Sequence, residues 1–274
     1  MSARLRGIAQ QTEEIVAAGR YRAPDGREVS LAAAIEAARD GTLMYGPDPV
    51  PVPQIPQLET FFEVTGESSL EAARRLGAGT AVLNFASARN PGGGFLNGAQ
   101  AQEEALCRAS ALYTSLLGAR PFYDHHRAHR DPFYTDRVIH SPGVPVFRDD
   151  RGRLLQAPYT AGFLTAAAPN AGVIRRTAPQ RTAELPGALA TRAERVLETA
   201  VAHGYRRLVL GAWGCGVFQN DPAQVAGAFQ GLLAPGGRFA GAFEQVVFGI
   251  LDRTPDSPVR AAFVRAFPEG RLRP

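Results

Sequence analysis

Residues 80–106 read Thr80-Ala81-Val82-Leu83-Asn84-Phe85-Ala86, then Ser87-Ala88-Arg89-Asn90-Pro91-Gly92-Gly93-Gly94-Phe95-Leu96-Asn97-Gly98, then Ala99-Gln100-Ala101-Gln102-Glu103-Glu104-Ala105-Leu106. The first seven residues read as a buried strand, and the last stretch opens a helix predicted over 101–117. Between them, three consecutive glycines remove every Cβ from the turn, so backbone amides can approach a phosphate or ribose closely. The helix starting near Ala101 points its N-terminus, with its partial positive charge, at the same place.

Outward from this stretch, strands alternate with helices. Phe61 to Thr65 reads as a strand and Ser68 to Leu76 as a helix. Extended segments are expected near 137–148 and 159–167. A helix over 187–203, a strand over 207–211, a helix over 221–233, a strand over 245–251 and a helix over 257–267 complete the pattern. This alternation predicts an α/β fold, a three-layer α/β/α sandwich around a mixed, largely parallel sheet. Ahead of it, residues 3–18 and Leu31 to Ala38 look helical, and Pro47 to Pro56 is too proline-dense for helix or central strand. We expect residues 1–57 to be an N-terminal helical extension packed on a core formed by 58–274. Loops as long as the proline-dense one are often functional, so it is a candidate ligand cover.

Ligands of open sheets gather outside the carboxyl ends of the strands. That rule picks out the glycine turn after Phe85 and a second loop, Gly211-Ala212-Trp213-Gly214-Cys215-Gly216-Val217-Phe218-Gln219-Asn220-Asp221-Pro222. Glycines at 214 and 216 again leave amides open, which suits a diphosphate, and Asp221-Pro222 has the form of a helix N-cap. Phe218 is placed to pack on a sugar face. Gln102-Glu103-Glu104 falls in the first turn of its helix, where the helix dipole alone favours acidic residues. Adjacent helical residues diverge by roughly 100°, so two neighbouring carboxylates cannot serve one ligand atom equally. One is expected to be the acid/base and the other its support. A carboxyl against an apolar wall such as Phe95 or Phe218 would have a raised pKa and could protonate a leaving oxygen.

Composition excludes several alternatives. The chain has 274 residues, 45% hydrophobic and 20% charged, which is ordinary for a soluble globular protein. Its 30 basic residues against 26 acidic ones give a net charge of +4, and every basic residue is arginine. The absence of lysine rules out a P-loop, and the glycine turn is not G-x-G-x-x-G. Arginine for lysine throughout fits a G+C-rich coding genome, and dispersed arginines identify no ligand. Arg74-Arg75, Arg175-Arg176 and Arg206-Arg207 read as solvated faces. Cys107 and Cys215 form no framework and no Cys-His pairing, which fits a reducing compartment and argues against a nucleophile. His125, His126 and His129 stand close together, and His125 and His129 would share a face that could hold zinc if helical. The lack of a His-Glu-x-x-His pattern and the interleaved arginines instead favour an exposed, solvated segment. Trp213 reads as core or loop support. With no apolar run at the start and none long enough for a bilayer, a cytoplasmic protein without membrane contact is expected.

The joined motif, Gly92-Gly93-Gly94, a spacer, then Gln102-Glu103-Glu104, resembles the signature of the poly(ADP-ribose) glycohydrolases of the compact bacterial type, which have a macrodomain fold. Tyr134-Thr135-Asp136-Arg137, Val144 to Asp150, Ala168-Pro169-Asn170-Ala171 and the Trp213–Asp221 loop are similar to that family too, as are Gly19-Arg20-Tyr21 and Gly41-Thr42 near the start. The resemblance implies that Glu104 is the catalytic acid/base and that Glu103 orients the bound ribose. It implies that Asn90 contacts that distal ribose, and that Gly92, Gly93, Gly94 and Gln102 line the substrate site. Gly214, Cys215, Gly216, Val217 and Phe218 would match the diphosphate loop, with Phe218 holding the ribose.

In the family's mechanism Glu104 would protonate the leaving 2′-oxygen of a ribose–ribose bond. An oxocarbenium-like sugar would form, and the same glutamate would then deprotonate water. No metal and no cofactor are implied. The partners are poly(ADP-ribose) or an ADP-ribosylated macromolecule and the ADP-ribose product, and the chain is expected to work as a monomer from polymer ends. The adenine end is expected near Glu67 or Leu251-Asp252-Arg253. Two other classes stay open: a hydrolase of single ADP-ribose units on protein or DNA, and a non-catalytic ADP-ribose reader. A reader, however, has no use for Gln102-Glu103-Glu104 at its pocket mouth. Phosphoryl transfer lacks both the lysine and a metal-binding carboxylate pair.

Overall fold

The structure, a computed structural model, describes residues 2–272. In chain order its elements are α1 (Ala3–Ala18), β1 (Arg20–Arg22), β2 (Glu28–Ser30), α2 (Ala32–Asp40), β3 (Leu43–Tyr45), β4 (Thr60–Thr65), α3 (Ser69–Leu76) and β5 (Thr80–Phe85). A 3₁₀ turn (Phe95–Asn97) leads to α4 (Gln102–Ala109), α5 (Leu112–Gly118), α6 (Arg120–Ala128), β6 (Val138–Arg148), β7 (Leu154–Ala166) and α7 (Ala171–Thr177). A second 3₁₀ turn (Pro179–Glu184), α8 (Leu185–Ala202), β8 (Arg207–Leu210), α9 (Pro222–Leu233), β9 (Gln245–Gly249), α10 (Pro258–Ala266) and β10 (Gly270–Leu272) follow.

Eight strands form one sheet in the order β10-β4-β9-β8-β5-β7-β6-β3. The five central strands, β4, β9, β8, β5 and β7, are parallel. β10 at one edge and the β6–β3 pair at the other are antiparallel. β5, β7, β8 and β9 alternate their side chains between two apolar layers, as the twofold strand period requires. Val82, Val209 and Val247 face the layer of α1 to α6, whereas Leu83, Leu208, Leu210, Val246 and Phe248 face α8, α9 and α10. This is the expected three-layer sandwich, and burial on both faces is why β5 carries so few polar residues. Among the described residues no helix is long and apolar enough to cross a membrane.

Three differences from the sequence reading have clear physical causes. The helix expected over 101–117 is broken at Ser110, which adopts an extended conformation and bridges to Val146 of β6. The Ser110 hydroxyl compensates locally, donating to Leu106 O at 2.7 Å and accepting from the Leu112 amide at 3.2 Å. Residues 1–57 are not purely helical either, because β3 is a strand of the main sheet, paired with β6, and β1 and β2 form a small hairpin. The proline-dense segment lies against α8, not over a ligand cleft. Val50 donates its amide to Glu198 Oε2 at 2.8 Å, and Val52 and Ile55 pack on the apolar layer of α8 and α9.

The histidine segment is also more ordered than expected. It forms α6, with His126 buried and bonded to Thr135 Oγ1 at 2.8 Å. His125 and His129 stack on the helix surface at 4.1 Å between centroids. Arg75, expected on a solvated face, is bound by Glu63 and Glu67.

Candidate active site

β5 and β8 are parallel neighbours, so the loops after Phe85 and Leu210 leave the same edge of the sheet side by side. The carboxyl end of β5 is tied to the first turn of α4 by four side-chain hydrogen bonds. Asn84, buried, donates to Glu103 Oε1 at 3.2 Å, and the Ser87 amide donates to Glu103 Oε2 at 2.7 Å. Gln102 accepts from the Phe85 amide at 2.9 Å and donates to Leu83 O at 2.8 Å. The polar end of Gln102 is thus committed to the strand, and its stem forms part of the cleft wall.

Glu104 faces the other way. Its Oε1 accepts from the Gly94 amide at 2.9 Å and its Oε2 from the Ala101 amide at 3.1 Å. The second bond is half of a capping box; Ala101 has no side-chain oxygen to return it. Glu103 is 2% exposed and Glu104 8%. The divergence expected of adjacent helical residues is therefore realised as two sets of partners. The glycine turn is shaped around them. A Cβ at Gly93, where φ is +59°, would lie 2.5 Å from Glu104 Oε1, and one at Gly94 would lie 2.7 Å from the Ala99 Cβ. The turn fits against the carboxylate only because it carries no side chains.

The second loop is pinned from below. Trp213, buried, donates its indole N–H to Ala166 O at 3.0 Å, and Asn220 donates to Pro169 O at 2.8 Å. Cys215 and Gln219 donate their amides within the loop, to Ala212 O and Gly216 O. Among the described residues, the amides of Gly216, Val217 and Phe218 have no protein acceptor. They leave three consecutive donors open in a loop whose residues line the cleft, the arrangement an anion needs. Burial and the nearby Asp221 push the Cys215 thiol up to about 12, so it is no nucleophile at neutral pH.

Between the two loops runs a continuous cleft. One cavity of 520 Å³ is lined by Ser87, Asn90, Glu103, Glu104, Gly214 and Phe218 among others. A second, of 620 Å³, shares Phe85, Gln102 and Gly216 with it and reaches Leu251, Asp252 and Arg253. The expected residues of both loops therefore converge except Gly92, Gly93 and Gly94, which line neither cavity, and the 251–253 segment lies at the far end. The Glu67 carboxylate does not; Arg75 holds it at 2.8 and 2.9 Å.

Comparison with known proteins agrees with this geometry. A family model described as the catalytic domain of microbial-type poly(ADP-ribose) glycohydrolase matches residues 9–149. The chain is 50% identical to poly(ADP-ribose) glycohydrolase from Thermomonospora curvata, covering 97% of this chain and 100% of that one with a TM-score of 0.92. It belongs to the microbial-type poly(ADP-ribose) glycohydrolases. The same Thermomonospora protein bound to the inhibitor ADP-HPD aligns with a TM-score of 0.90 at 50% identity, over 97% of this chain and 100% of that one. The Deinococcus radiodurans poly(ADP-ribose) glycohydrolase in complex with ADP-ribose is 46% identical over 88% of this chain and 99% of that one, with a TM-score of 0.81. A comparison with curated proteins returned no match.

Two features of this glycohydrolase's cleft escaped sequence reasoning. Tyr134 lines the 520 Å³ cavity with φ at +57°, unusual for a residue with a Cβ, and its ring lies 5.9 Å from Phe218. Tyr134-Thr135-Asp136-Arg137 carries part of the family resemblance, but nothing in its spacing assigns the tyrosine a wall of the site. The raised carboxyl is Glu103, which the sequence alone does not single out. Burial pushes Glu103 from 4.5 to about 8, against the lowering effect of the Ser87 amide and the Asn84 side chain. Among the described residues no group of three His, Cys, Asp or Glu side chains could hold a metal.

The Glu103 shift has a measurable effect on this glycohydrolase. A carboxyl whose pKa rises on folding favours the folded state fully below about 4.5, and that contribution is lost as pH rises through about 8. Denaturant unfolding of wild type should therefore lose stability across this window faster than unfolding of Glu103→Gln, which does not titrate. Parallel curves for the two proteins would show that Glu103 is charged in the fold.

Proposed function

We propose that the protein hydrolyses the ribose–ribose O-glycosidic bonds of poly(ADP-ribose), releasing ADP-ribose from chain ends, with Glu104 as general acid/base. The observation that carries this reading is a single carboxylate, held by two backbone amides, at the sugar end of a cleft whose opposite wall is a row of open amides. ADP-ribose fits that order of parts. The diphosphate lies on Gly214 to Phe218, the distal ribose between Phe218 and the Gly92–Gly94 turn near Asn90, and the adenine towards Leu251–Arg253. Relatives of this fold bind ADP-ribose and ADP-HPD, which supports the same use of the cleft here.

Glu104, as the acid, passes a proton to the leaving 2′-oxygen while the bond from that oxygen to the anomeric carbon breaks. The resulting carboxylate then takes a proton from water as the water oxygen bonds to the anomeric carbon. The products are ADP-ribose and a polymer ending in a 2′-hydroxyl, and Glu104 returns to the acid form. A second carboxylate across the bond, as in most glycosidases, is not needed in this scheme. Glu103 acts as a positioning residue, fixing Ser87 and Asn84 beneath the ribose.

The preference for chain ends follows from the far end of the cleft. Arg4 and Leu5 of α1 line the 620 Å³ cavity beside Asp150, so the N-terminal helix stands where a further unit would continue. Incubation of the protein with poly(ADP-ribose), followed by chromatography of the products, tests the reading. Monomeric ADP-ribose from the earliest time points is expected; early oligomers would exclude end-wise cleavage, and tight binding with no product would make the protein a reader.

A further inference from the structure

Beside Glu104 the surface opens into a second groove of 580 Å³, walled by Ser87, Asn90, Asn97, Glu104 and Tyr113 together with Gly93 and Gly94 of the glycine turn. Ser87, Asn90 and Glu104 also wall the ribose end of the main cleft. Glu104 therefore stands between two spaces. One holds the sugar that is cut, on the reading above. The other shares the glycine turn, Ser87 and Asn90 with that sugar's seat, but Asn97 and Tyr113 have no part in that reading.

The groove is polar and its polar groups are idle. Asn97 lies exposed in the 3₁₀ turn, and only its backbone amide is used, donating to Gly94 O at 3.0 Å. Among the described residues the side-chain amide of Asn97 and the hydroxyl of Tyr113 have no hydrogen-bond partner. The Tyr113 ring is nonetheless fixed in direction. It packs 5.1 Å from the Phe95 ring and so close to the turn that a Cβ at Gly92 would lie 2.9 Å from it.

We propose that this groove is the seat of the leaving unit, the nucleoside end of the next ADP-ribose in the chain, with Asn97 and Tyr113 hydrogen-bonding its ribose hydroxyls. The inference rests on the hydrolytic reading of the main cleft. When the bond breaks at Glu104, one sugar lies in the 520 Å³ cavity, and the oxygen that takes the proton carries its own sugar away from that cavity. The polar groove shares this carboxylate with the cavity. The far end of the main cleft cannot take that sugar, because it lies beyond the diphosphate loop and against α1. Open and hydroxyl-matched, the groove adds affinity for polymer and none for free ADP-ribose.

Kinetics on two substrates test the assignment: poly(ADP-ribose), and ADP-ribose joined through its distal anomeric carbon to 4-nitrophenol, which has no leaving nucleoside. Asn97→Ala and Tyr113→Phe should each raise the KM for polymer about fivefold, the effect of one lost neutral hydrogen bond. The kcat on polymer and both constants for the nitrophenyl compound should stay within about twofold of wild type. Variants that treat the two substrates alike overturn the groove assignment while the function stands. A wild type that frees no ADP-ribose from polymer overturns the function, and the groove assignment with it. Tyr113→Phe keeps the ring that supports the glycine turn, so loss of folding does not enter the comparison.

Discussion

Glu104→Gln should lower kcat on poly(ADP-ribose) by on the order of 10²–10⁴-fold, the range expected when a general acid/base is removed. Free ADP-ribose should bind with nearly unchanged affinity. The amide oxygen of glutamine can keep the bond from the Gly94 amide, so the turn and the diphosphate loop stay in place. What is lost is the transferable proton, together with the bond from the Ala101 amide, which the glutamine NH2 cannot accept. Single-turnover release of ADP-ribose, measured beside calorimetric binding of ADP-ribose, separates the two effects. A fully active Glu104→Gln protein would move the acid/base elsewhere in the cleft. Glu103 would then be the next candidate, because it is buried and holds its proton to about 8.

The second large effect belongs to a residue with no side chain. In Gly93→Ala the new methyl group would lie 2.5 Å from Glu104 Oε1 and 3.2 Å from Glu103 Oε2, at a φ of +59°. The backbone there cannot yield cheaply, since the left-handed conformation already costs an alanine roughly 1–2 kcal/mol. The carboxylate must move instead, and a displacement of about 1 Å in a catalytic group costs about 100-fold in rate. Gly93→Ala should thus show a kcat loss of that order with a modest drop in unfolding midpoint. Wild-type kcat in a well-folded variant would mean that the placement of Glu104 does not set the rate.

The parts of this fold legible in the sequence are those set by local pattern. β5 announces itself because Thr80 to Asn84 are all buried and contain only two polar residues. The two cleft loops announce themselves because glycine clusters follow such strands, with Asp221 as an N-cap at the end of the second. Gln102, Glu103 and Glu104 could be placed on one helical turn and separated in direction, but not in environment. Which glutamate would be desolvated depends on Asn84 and Ser87 folding beneath it, and that contact is long-range. The break at Ser110 has the same origin, since only pairing with Val146 gives the extended conformation its reward. Tyr134 reaches the ribose wall from a segment with no periodic signal. The proline-dense loop misled for the opposite reason: its composition fixes an irregular path but not which surface it crosses.

The position of α1 bears on how successive cuts relate to each other. With Arg4 and Leu5 at its far end, the cleft is a blind alley and not a tunnel. A freed ADP-ribose cannot be pushed onward by the unit behind it; it must back out through the side by which the polymer entered. Each cut therefore ends with an empty alley, and the shortened polymer competes afresh with every other chain. On the end-wise reading proposed above, catalysis would then be distributive: a mixture of polymers would shorten together, and the enzyme would spend its time in proportion to the number of chain ends, not to their length.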